Sequence, residues 1–81
     1  MARPSPHRFR KLDIRPILRR GEEPFAPIMA RVAALRPGEG LELTAPFMPA
    51  PLVELLGSQG FEADMEHSPE GNWVVWFWKT S

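Results

Sequence analysis

Leu41-Glu42-Leu43-Thr44-Ala45-Pro46-Phe47-Met48-Pro49-Ala50-Pro51-Leu52-Val53-Glu54-Leu55-Leu56-Gly57-Ser58-Gln59-Gly60-Phe61-Glu62-Ala63-Asp64-Met65 is the stretch on which the fold turns. Leu41 to Thr44 alternates apolar and polar residues, as a half-buried strand does. Ala45 to Ala50 carries two prolines and predicts a loop. Pro51 then opens a helix at a position whose N–H no intrahelical bond uses, and Leu52, Leu55 and Leu56 share one face of it. Gly60 falls where a left-handed helix cap belongs. Beyond it, Phe61, Ala63 and Met65 alternate with Glu62, Asp64 and Glu66. The period runs from two to 3.6 and back to two, so this stretch is strand, helix, strand.

The flanks extend the pattern. Upstream, Phe9 to Ile14 predicts a strand with Leu12 and Ile14 on one side and Lys11 and Asp13 on the other. Pro16 and Gly21 bracket what reads as an arginine-rich loop. Phe25, Ile28, Met29, Val32 and Leu35 form an amphipathic stripe, preceded by Glu22 and Glu23, where negative charge suits a helix start. Pro37-Gly38 ends that helix. Downstream, Ser68-Pro69-Glu70-Gly71-Asn72 turns the chain and Trp73 to Lys79 returns as a last strand. Residues 1–8 show no period and read as a flexible arm, and residues 9–79 as a single domain.

The order β-α-β-α-β-β sets the architecture. Right-handed crossovers place both helices on one face of a mixed four-stranded sheet, an α/β (α+β) two-layer sandwich with its other face uncovered. The loops after the first two strands and the starts of both helices then meet at one end, where ligands of open α/β sheets bind. That end receives Arg15, Arg19, Arg20, Phe25, Phe47 and Met48, the candidate surface for a ligand or partner. If Trp73, Val75 and Phe77 face the helices, then Val74, Trp76 and Trp78 lie on the uncovered face. They form an apolar patch of a kind monomers seldom leave bare, to be packed under the N-terminal arm, used in self-association or docked by another protein, and so a candidate interface.

Composition narrows the chemistry. Among 81 residues there is no cysteine, which removes disulfides, thiolate ligands and cysteine nucleophiles. A small domain without such staples suits a reducing cytoplasm. The longest apolar run, Trp73 to Trp78, is far shorter than the roughly 20 residues of a membrane helix. Net charge is zero but unevenly spread: residues 1–20 carry seven basic side chains against Asp13, and residues 21–81 carry the compensating acidic excess. With no nucleic-acid motif, the basic arm reads as a partner for an acidic surface rather than for nucleic acid. Glu62, Asp64 and Glu66 point one way along a strand. They read as a charged edge that resists aggregation, as a weak cation site, or as a partner for the basic arm. His7 and His67 have no pattern linking them to a metal set, and no nucleophile elbow or triad spacing is present.

Several motifs together carry a resemblance. They are Leu12-Asp13-Ile14-Arg15 with Gly21-Glu22-Glu23-Pro24-Phe25-Ala26-Pro27-Ile28-Met29, Ala45-Pro46-Phe47-Met48-Pro49-Ala50-Pro51-Leu52, Gly60-Phe61 and Trp73-Val74-Val75-Trp76-Phe77. Over residues 12–79 the chain resembles an uncharacterised bacterial family, domain of unknown function family 2249, which stands beside the TusA/SirA-like sulfur carriers in fold. The resemblance implies the same sandwich and an accessory role. TusA-like carriers place a cysteine at the start of the first helix in a Cys-Pro-x-Pro signature. Here that signature falls on Pro24-Phe25-Ala26-Pro27, so sulfur relay by that route is excluded.

These observations predict a cytoplasmic, non-enzymatic interaction or carrier-like domain without cofactor or metal, which binds a protein partner or a second copy of itself. The alternative is a small-ligand domain that holds an anion at the shared helix starts, where Arg15, Arg19 and Arg20 gather.

Overall fold

Four strands and three helices follow one another along the chain in the computed structural model, which describes residues 3–79. Strand β1 spans Phe9–Asp13, helix α1 Arg15–Arg19, helix α2 Phe25–Ala33, strand β2 Gly40–Ala45, helix α3 Ala50–Ser58, strand β3 Phe61–His67 and strand β4 Trp73–Lys79. A single 3-10 turn, Pro6–Arg8, leads into β1. The sheet order is β1-β2-β4-β3, with β1 and β2 parallel and β4 antiparallel to both its neighbours. The first three strands therefore run the same way and β4 runs against them. The second crossover, through α3, leaves a gap of one strand that β4 fills on its return.

Register explains which residues meet. Leu41 lies opposite Phe77, which lies opposite Ala63, and Leu43 lies opposite Val75, which lies opposite Met65. Partners across a ladder project to the same side. Leu41, Leu43, Val75 and Phe77 are fully buried and pack with Ile14, Ile28 of α2, and Leu52 and Leu56 of α3. One sheet face therefore carries both long helices, as the crossover argument expects. Phe9, Gly40 and Trp78 form a row on the other face.

The segment Arg15–Arg19 differs from the expected loop: it is helix α1. The reason is visible in its ends. Pro16 sits at the second helical position, where its fixed φ favours the turn and its missing N–H costs nothing. Gly21 takes a φ of +74°, and the Gly21 and Glu22 N–H groups donate to the Leu18 and Ile17 carbonyls at 2.9 and 3.1 Å. That pair of bonds is a Schellman cap. Ile17 and Leu18 pack against the core, which supplies the burial that so short a helix needs.

At its other end α2 stops at Ala33, before Pro37-Gly38. The β3–β4 turn closes with the Ser68 N–H donating to the Asn72 carbonyl at 2.8 Å, and Gly71 has a φ of +90°. Among the described residues no helix is long and apolar enough to cross a membrane.

Candidate functional site

The carboxyl ends of β1 and β2 and the starts of α2 and α3 meet around a groove of about 340 Å³. Ile14, Ile28 and Leu52 form its buried floor, and Phe25, Phe47 and Leu55 line it with Pro24, Pro49 and Pro51. Glu23 is the one ionisable group on its wall. Among the described residues, Phe25, Phe47 and Met48 are the large hydrophobic side chains left exposed, at 47%, 46% and 38%. Phe25 and Phe47 line the groove itself, and Met48 follows Phe47 on the same loop.

Local chemistry holds this end in shape. The Glu23 carboxylate accepts hydrogen bonds from the Phe25 and Ala26 N–H groups, satisfying donors that the first turn of α2 leaves over. Pro49 and Pro51 flank Ala50, whose N–H donates to the Met48 carbonyl at 3.0 Å. Each proline fixes its own φ, so the walls of the groove lose little further freedom when something binds.

The arginines expected to form a site at this end do not enter the groove: none of Arg15, Arg19 and Arg20 lines it. Arg15 forks onto Asp13, with Nη2 to Oδ2 at 2.6 Å and Nε to Oδ1 at 2.9 Å, and Arg20 pairs with Glu22 at 3.0 Å. Arg19 is exposed on α1. Two of the three cations are thus matched by carboxylates two residues away. The start of α2, expected to offer a positive end to an anion, is already occupied by Glu23.

The Asp13–Arg15 pair has a titration consequence. The Arg15 guanidinium holds the Asp13 carboxyl below its ordinary range. The Arg36 N–H and the Arg10 side chain do the same for Glu39. Both groups bind their proton more weakly when folded, so they favour the folded state above the ordinary carboxylate range. That advantage fades as pH falls through their depressed values. Urea midpoints are expected to drop as pH is lowered below about 4, and Asp13→Asn to flatten part of that drop. An Asp13→Asn chain with the same pH slope as the unmodified one would show that the pair contributes nothing.

On the opposite sheet face, the expectation of a bare patch at Val74, Trp76 and Trp78 is corrected. Trp78 is buried at 6% exposure, with the Phe9 ring meeting it edge-on at 6.3 Å between centroids. Val74 and Trp76 are half-buried. The Trp76 indole N–H donates to Glu42 at 3.1 Å, and the Arg3 guanidinium lies 3.8 Å from its ring centroid. Covering comes from Phe9 at the start of β1 and from Arg3 of the arm, which no periodicity had placed. Of the arm read as residues 1–8, Met1 and Ala2 lie outside the described residues.

Among the described residues no cluster of three or more His, Asp or Glu is placed to hold a metal ion. His67 stacks on Trp73 at 4.4 Å. No curated protein and no solved structure matches the chain. A family model does match, over residues 11–79, which include the groove and the whole sheet except its first two residues. By that match the chain belongs to the family described as an uncharacterized conserved protein, DUF2249.

Proposed function

We propose that this chain is a non-enzymatic interaction domain that receives an apolar segment of a protein partner in the groove between α2 and α3. The observation that carries the reading is that Phe25 and Phe47, two of the three exposed large hydrophobics among the described residues, line one proline-walled groove, with the third, Met48, next to Phe47 in the chain. Aromatic and methionine side chains in such a setting are the residue types that dominate protein contacts. At about 340 Å³ the groove stands at the small end of ligand sites, the size for one or two apolar side chains rather than an enclosed substrate. Apart from the short helix α1, the β-α-β-α-β-β order supports kinship with the TusA/SirA-like domains. Pro24 in place of the carrier cysteine directs the same end toward contact rather than sulfur chemistry. A cysteine-free chain fits a cytoplasmic setting.

The test is capture from the source cell's lysate with the unmodified chain, Phe25→Ser and Phe47→Ser. Both positions are about half exposed, so both variants are expected to stay folded by circular dichroism. Proteins retained by the unmodified chain are expected to fall at least about tenfold with either variant. An unchanged set of captured proteins would sink the reading, and capture of the chain itself would convert it to self-association. Millimolar phosphate or sulfate is expected to leave the melting temperature unmoved; a clear upward shift would restore the anion alternative.

A further inference from the structure

Trp76 lies on the sheet face away from the helices, with Glu42 and Asp64 as its cross-strand partners on either side. Its indole N–H donates to Glu42 at 3.1 Å, which fixes the plane of the ring. Above the ring the Arg3 guanidinium rests 3.8 Å from the centroid, with Nη1 3.3 Å from Asp64 and Nη2 4.0 Å from Glu66. An acidic row alone would identify nothing. Here a guanidinium already fills the seat, held by a ring face and by carboxylates, the two kinds of group that bind it best.

The filling group belongs to neither layer of the sandwich. Arg3 precedes the 3-10 turn and stands outside every strand and helix. It also lies outside the residues matched by the family, whereas Glu42, Asp64, Glu66 and Trp76 lie within them. We propose that this seat binds an arginine side chain on an extended segment of a partner protein, and that Arg3 occupies it in the free chain as an internal competitor. Charge favours such a partner: Asp13, Glu42, Glu62, Asp64 and Glu66 stand on this face against Arg3, Lys11 and the Arg15 that pairs with Asp13. The clip itself is weak. Its ion pairs are exposed and it adds one cation–π contact, so it suppresses an external arginine by about tenfold. The seat lies on a different face from the apolar groove, and the two proposals stand or fall separately.

The probe is the peptide acetyl-Arg-Pro-Ser-Pro-amide, which copies residues 3–6. It is titrated into the full-length chain while the backbone and indole N–H signals of β3 and β4 are followed by NMR. Arg3→Ala is expected to bind it saturably and about tenfold more tightly than the unmodified chain. In the Arg3→Ala background, Asp64→Asn should weaken binding several-fold and Trp76→Leu should abolish it. Asp64 is exposed, so its variant keeps the fold even if the tryptophan variant does not. Equal affinity of the Arg3→Ala and unmodified chains, or binding indifferent to Asp64→Asn, would overturn the proposal.

Discussion

Phe77→Ala is expected to remove about 3–5 kcal/mol of folding free energy. A chain of this length has about 4–12 kcal/mol in all, so the loss runs from about a quarter of the margin at the high end to nearly all of it at the low end. The reason lies in its place. Phe77 stands on the central strand β4, fully buried, between Leu41 of β2 and Ala63 of β3. It packs in the cluster that joins the sheet to α2 and α3, so the cavity opens where both layers meet. Urea unfolding followed by circular dichroism measures the loss. A decrease of less than about 1 kcal/mol would mean that the layers hold together without this ring.

Gly40→Ala should cost about 2–3 kcal/mol by overfilling rather than by emptying, and should lower the melting temperature by about 10–20 °C. A Cβ at Gly40 would stand 2.5 Å from the Phe77 carbonyl oxygen and 2.6 Å from a ring carbon of Phe9. Glycine is needed there because the Phe9 ring crosses β2 at that point to reach the edge of Trp78. Removing the ring is not expected to rescue the variant: Phe9→Ala with Gly40→Ala leaves the backbone oxygen in place. Differential scanning calorimetry on the single and double variants separates the two collisions. A single variant within about 3 °C of the unmodified chain would show that β2 can shift to admit a methyl group.

Wherever the chain repeats with a regular period, the sequence reading and the structure agree. The alternation of Leu41-Glu42-Leu43-Thr44 found its strand, and the stripe from Phe25 to Leu35 found its helix, although Leu35 lies beyond that helix's end at Ala33. Burial of Val75 and Phe77 followed from one-in, one-out projection. What escaped was aperiodic. Helix α1 is five residues long, too short to show a stripe, and only Pro16 and Gly21 marked its ends. The cover over Trp76 and Trp78 comes from Arg3 and Phe9, whose return across the sheet is a matter of tertiary contact, not of local pattern. Phe25 and Phe47 were legible as part of the shared helix-start end. Its apolar character was not, because the arginines nearby had close acidic neighbours whose pairing needed coordinates: Asp13 for Arg15 and Glu22 for Arg20.

The placement of β4 bears on how the molecule is made. It is the last of the four strands to leave the ribosome, yet it takes an interior place and supplies every ladder contact that β3 has. Until residues 73–79 emerge, β2 presents an unpaired edge, β3 has no partner, and the core lacks Val75 and Phe77. Folding during synthesis must therefore wait for the end of the domain, and an early stop before Trp73 would yield a fragment with only the β1–β2 ladder. Such a fragment, with unsatisfied strand edges and bare leucines, is a natural substrate for chaperones and proteases.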